Sequence, residues 1–99
     1  MYISSVRFKP KKQYKTDFIN YLKTFNPTKY EGCIKHLVID AGERMMSFVE
    51  WKSESSLSLE RGNLIKFLDG CRYMLEELSP ELGVTDPISG SLIIENNSE

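Results

Sequence analysis

The sequence predicts a single α+β domain of element order β-α-β-β-α-β, a ferredoxin-like sandwich with an antiparallel sheet. Three observations predict it. An alternating, β-rich opening segment stops at a proline, two amphipathic stretches have helical spacing, and a hairpin around a Gly-X pair lies between them. A chain of 99 residues fits one domain. It is expected over residues 1–95, with a polar tail at 96–99.

The first strand is expected at Tyr2 to Phe8, with Tyr2, Val6 and Phe8 on one face and Ser5 and Arg7 on the other; Pro10 stops it because proline cannot donate to a ladder. Tyr14, Phe18, Tyr21, Leu22 and Phe25 then recur at helical steps, and Asn26-Pro27 closes this helix because the residue before proline avoids the α region. Two strands follow, Cys33 to Asp40 and Met45 to Lys52, around Ala41-Gly42-Glu43-Arg44. A type II′ turn with Gly42 at positive φ sets the register: Ala41 opposes Arg44, Ile39 opposes Met46, Leu37 opposes Phe48, and Lys35 opposes Glu50 as an ion pair. The other hairpin face carries Ile34, His36 and Val38 against Trp51, Val49 and Ser47.

Both hairpin faces are therefore apolar, whereas a sheet with one face in water shows a polar one. Helices cover one face. A second copy of the chain is the economical cover for the other, so a homodimer through the sheet is expected. Ser53 to Ser56 carry the N-cap signals of a second helix, expected to break at Gly62 and to run toward Leu78 with Leu57, Leu64, Leu68, Cys71, Leu75 and Leu78 on one side. Glu81 to Ser91 reads as a loop, and Leu92-Ile93-Ile94 as the last strand.

Several function classes are excluded by what is missing. The net charge of −1 gives no global drive toward nucleic acid, and the strands lack the basic, Gly-containing aromatic motif of an RNA-binding sheet. Charge is unevenly spread. Residues 1–30 hold seven basic residues against Asp17, whereas the remainder holds six against thirteen acids. Cys33 and Cys71 with one histidine make no metal set, and reduced thiols in a soluble, cytoplasmic protein are expected. No apolar run is long enough to span a bilayer, and there is no phosphate loop or nucleophile elbow.

Val6-Arg7-Phe8-Lys9-Pro10, followed by a helix carrying Phe18, is similar to the start of the dimeric α+β barrel superfamily. Phe48-Val49-Glu50-Trp51-Lys52-Ser53-Glu54, a strand with a Trp-x-Ser-Glu step into a helix, resembles its antibiotic biosynthesis monooxygenase group. The resemblance implies paired ferredoxin-like subunits with a pocket between each sheet and its own helices, lined by Trp51. It implies functions that range from cofactor-free oxygenation of aromatic polyketides to haem degradation and isomerisation. The haem-degrading members' helix-two histidine is missing here, with Asn63 the nearest polar substitute, and their strand-one asparagine is replaced by Ser5 or Val6. No cofactor is therefore expected.

Among residues for chemistry, His36 is the one side chain titrating near neutrality, and the register puts it on the same face as Trp51. Structural duty as a strand histidine is the competing role. Arg7 is the second catalytic candidate, able to hold a carboxylate or phenolate, or else to pair with an acid at the rim. Trp51 offers a stacking surface or simply core volume. Asn63 and Tyr73 complete the candidate ligand-binding set, facing pocket or solvent according to the helix phase around Gly62. Two functions follow: a small cofactor-independent monooxygenase-like enzyme acting on an aromatic or hydrophobic molecule, or a non-enzymatic ligand-binding or dimerisation domain. An open pocket of about 300 Å³ or more lined by His36 and Trp51 separates them.

Overall fold

In a computed structural model, which describes residues 1–98, the chain folds as β1 (Tyr2–Phe8), α1 (Lys15–Leu22), β2 (Cys33–Asp40), β3 (Met45–Trp51), α2 (Glu54–Asp69) and β4 (Asp86–Ser91). The four strands form one antiparallel sheet in the order β2-β3-β1-β4, and both helices pack on a single face. This is the ferredoxin-like sandwich. Of the tail expected at 96–99, Glu99 lies outside the described residues.

The Gly-X turn sets the sheet as its chemistry requires. Gly42 has φ 96°, a conformation that costs little only without a side chain, and the Ala41 amide donates to Arg44 O at 2.9 Å. Ile39↔Met46, Leu37↔Phe48 and Lys35↔Glu50 then pair as the turn dictates. Two details differ. Lys35 and Glu50 are opposite but form no ion pair, and a bulge between Cys33 and Lys35 puts Cys33, not Ile34, opposite Trp51. The bulge takes up one extra residue where β2 enters the sheet.

Strand β3 is central, so its residues alternate between buried and half-buried: Met45, Ser47, Val49 and Trp51 are enclosed under the helices. Phe8, Phe18, Leu22, Met45, Cys71, Met74 and Leu75 form one core cluster; Val49, Trp51 and Leu57 form a second. The α1 stripe behaves as its spacing dictates, with Phe18 and Leu22 buried.

Helix α2 starts at the expected cap, where Ser53 Oγ accepts from the Ser56 amide at 3.2 Å. It differs from expectation afterwards. The helix passes unbroken through Gly62, because the cost of one exposed helical glycine, about 1 kcal/mol, is carried by the turns on either side. It ends at Gly70, not near Leu78. A side chain there would collide with the Tyr21 hydroxyl, which donates to the Phe67 carbonyl and so caps the helix end. Beyond it, a 3-10 turn at Arg72–Met74 leads into a bridge between Leu75 and Pro10, with the Lys11 amide donating to Met74 O and the Glu76 amide to Lys9 O, each at 2.8 Å. Those pairings take the backbone that a longer helix would have used.

The last strand also lies earlier than expected, at Asp86–Ser91, and the Leu92-Ile93-Ile94 run lies beyond it. Pro87 is tolerated because β4 is an edge strand, where a missing amide need not face a neighbour. Ile93 is 86% exposed and Ile94 68%. Among the described residues no helix is long and apolar enough to cross a membrane.

Burial pushes the Cys71 thiol up to about 11, and burial raises Cys33 as well. Cys71 is fully enclosed and its thiol donates to Leu68 O at 3.3 Å. A thiol reagent at pH 8 therefore labels Cys33 slowly and Cys71 only on unfolding; native labelling of Cys71 as fast as Cys33 would contradict this packing.

Candidate helix-side cavity

The helix-facing side of β2 holds His36, opposite Val49. Phe25, just past the end of α1, packs its ring on the imidazole with centroids 4.5 Å apart, and it also stacks on Tyr30 at 4.7 Å and meets Phe67 edge-on at 5.3 Å. These aromatics remove water from the ring, and burial lowers the His36 pKa. A neutral imidazole at neutral pH can accept a proton. The sign for stability follows: unfolded His36 binds protons more readily, so its contribution is lost progressively as pH falls below about 6.5 toward its folded value.

Beside His36 lies a cavity of about 310 Å³ between α1 and β2, lined by Ile19, Leu22, Lys23, Val38, Asp40 and Met45. Lys15 closes the hairpin end of this region, donating to Asp40 Oδ1 at 3.0 Å and to Gly42 O at 2.8 Å. The Gly42 amide and Lys15 hold the Asp40 carboxyl below its usual range, so it remains an anion. His36 also borders a narrow space of about 60 Å³ reaching in toward Ser4, Val6, Leu64 and Leu68. Those same four residues border a third cleft, of about 250 Å³, between α2 and the β1–β4 edge. A chain of cavities thus crosses the sheet beneath both helices, with His36 at the first junction.

The other sequence-predicted residues do not gather there. Trp51 shares the helix-side face with His36 but is fully enclosed against Val49 and Leu57, its indole donating to Ser4 Oγ at 3.0 Å. It borders none of these three cavities. Arg7 is on the opposite, open face of the sheet, paired with Asp86 across β4. Asn63 is exposed on α2 and donates to Glu60 Oε2 at 3.2 Å beside a shallow depression shared with Lys29 and Lys66. Tyr73 is 58% exposed, edge-on to Tyr14. The residues that do meet His36, Phe25 above all, passed as core stripe in the sequence; its position after Leu22 and before Pro27 is the only signal that it leaves the helix. Among the described residues no group of His, Cys, Asp and Glu could hold a metal.

The open face of the sheet carries Leu37, Ile39, Phe48 and Ile88, with Leu37 54% and Ile88 69% exposed. Beside it the Leu92-Ile93-Ile94 run walls a concavity of about 320 Å³ over Ile3, Ser5 and Phe48.

No protein-family model matches the chain, and no curated protein matches it in sequence. Solved structures do match its fold. Rv0793 from Mycobacterium tuberculosis superposes with a TM-score of 0.75 at 17% identity, covering 97% of this chain and 98% of that one. A candidate antibiotic biosynthesis monooxygenase from Deinococcus radiodurans gives 0.76 at 11% identity, covering 100% and 99%. SnoaB, a cofactor-independent oxygenase from Streptomyces nogalater, gives 0.68 at 8% identity, covering 99% and 97%. The fold, from its first strand to its last, is the one these solved structures share.

Proposed function

We propose that the chain is a small cofactor-independent monooxygenase-like enzyme acting on an aromatic or hydrophobic molecule, working as a homodimer joined through the open sheet face. The observation that carries this reading is the largely apolar cavity of about 310 Å³ against an imidazole kept neutral by burial. An electron-rich aromatic substrate with an acidified C–H would lie against Ile19, Leu22 and Val38 and pass its proton to His36. The resulting carbanion would add molecular oxygen to give, on reprotonation, a hydroperoxide. Loss of water from the hydroperoxide leaves a ketone, so one oxygen atom ends in product and one in water. Similarity of fold to a cofactor-independent oxygenase agrees with such chemistry. Trp51 then supports the sheet under the site, and Arg7, Asn63 and Tyr73 lie outside the reacting cavity.

Dithranol, an aromatic ketone whose methylene C–H deprotonates readily, is the test substrate. Oxygen uptake above the uncatalysed rate is expected, and His36→Ala should reduce it about 100-fold or more, the usual range for losing a general base. Uptake unchanged by His36→Ala would remove His36 from the mechanism, and no uptake at all would count against the enzyme.

One observation favours the second reading, a ligand-binding domain without turnover. His36 alone among the five candidate residues borders the cavities beneath the helices, and among the described residues it makes no side-chain hydrogen bond that would fix the ring. Saturable dithranol binding without oxygen uptake would select that reading.

A further inference from the structure

The third cleft of the helix-side system has a chemistry unlike the first. Leu57, Arg61, Leu64, Ile65 and Leu68 follow one another at helical spacing along α2, so Arg61 stands among apolar side chains on the face that borders the cleft. Arg72 enters from the 3-10 turn after α2, and the opposite wall is the β1–β4 edge with Ser4 and Ser89. No acidic side chain lines this space of about 250 Å³.

Charge makes that arrangement specific. Residues 31–99 are acidic overall, yet two of their six basic residues border this cleft and no acid does. Among the described residues the Arg61 side chain makes no hydrogen bond or ion pair. Arg72 uses only its Nε, donating to Asp69 Oδ1 at 2.8 Å, which leaves its terminal nitrogens free. Ser4 Oγ accepts from Trp51 and still has its own proton to donate. Planar guanidinium groups match a carboxylate in bidentate fashion, and the apolar floor of Val6, Leu64 and Leu68 suits a ring or short chain.

We infer that the cleft between α2 and the β4 edge is a binding site for a small amphipathic carboxylate, an aryl or alkyl acid whose anion is held by Arg61 and Arg72 and whose apolar body points toward the Ser4–Leu64 constriction. The inference rests on the helix-side cavities being the ligand site, and it deepens that reading by naming the substrate class as acids. Small volume limits the ligand to one or two rings, since typical sites for drug-sized molecules start near about 300 Å³.

Titration calorimetry of the full chain with 2-naphthoate and with its neutral counterpart 2-naphthalenemethanol tests this, with amide shifts recorded by NMR. Naphthoate should bind at least about 10-fold tighter, as expected for a charge-assisted bidentate contact. Its shifts should centre on Ser4, Leu68 and Ser89. Arg61 is exposed, so Arg61→Gln leaves the fold intact and should weaken naphthoate about five-fold while sparing the alcohol. Equal affinity for the two probes, or naphthoate binding unchanged in both Arg61→Gln and Arg72→Gln, would overturn the assignment. If that happens while dithranol is oxidised with His36 dependence, the carboxylate site fails and the oxygenase reading stands. A naphthoate preference without dithranol oxidation gives the reverse.

Discussion

Trp51→Ala is expected to lower the unfolding free energy by about 3–5 kcal/mol, a large share of the roughly 5–15 kcal/mol available to a domain of this size. The indole is fully enclosed, packed with Val49 and Leu57 at the entry to α2, and its Nε1 donates to Ser4 across the sheet. Truncation removes the apolar contacts, opens a cavity, and leaves Ser4 without its donor. Trp51→Phe should cost less, because most of the volume stays. Urea unfolding of the three proteins at one concentration measures both effects. A loss under about 1 kcal/mol for Trp51→Ala would show that this cluster can collapse or is not a core.

Phe48→Lys should convert the proposed dimer to a monomer, weakening association at least about 30-fold, the effect of losing one central anchor. Phe48 sits mid-strand on the open face, opposite Leu37 on one side and Ser5 on the other. A stable interface removes about 800 Å² per partner, a modest fraction of the 6672 Å² this chain exposes. The apolar sheet face with the adjoining Leu92-Ile93-Ile94 run is the natural source of that area. Because Phe48 lies away from the helix-side core, the variant should remain folded. Light scattering at micromolar concentration should give twice the chain mass for the native protein and once for Phe48→Lys. A native monomer, or a variant still dimeric, counts against the sheet-face dimer.

The sequence made some of this legible for identifiable reasons. The hairpin register could be counted outward from Gly42 because a two-residue turn leaves no freedom in pairing, and that count put His36 on one face with Trp51. The ends of α2 and β4 were not legible in the same way. Ser79-Pro80 is a stronger local stop than Gly70, but Tyr21 and the Pro10–Leu75 bridge, both distant in sequence, end the helix first. Leu92-Ile93-Ile94 has higher strand propensity than Asp86–Ser91, yet pairing with β1 selects the segment that lies alongside it.

The site divides along the same line. Facing could be read from strand alternation, but depth could not. Trp51 shares a face with His36 and is nonetheless sealed off by Leu57, a contact set by how α2 lies on the sheet. Arg7 alternates to the open face and meets Asp86, which the sequence had placed in a loop. Arg61 and Arg72 carry no sequence signal of a site, because a cleft between a helix and a sheet edge has no signature in either segment alone.

In the proposed function the single histidine sits neutral against a cavity that accepts an aromatic molecule. With one histidine in the chain, its imidazole carbon–proton signals in NMR need no assignment. A pH titration should give a pKa below about 6.5, and adding dithranol should shift those signals further and depress the pKa again as the ligand excludes water. A titration at or above about 6.5 that dithranol leaves unmoved would contradict the account.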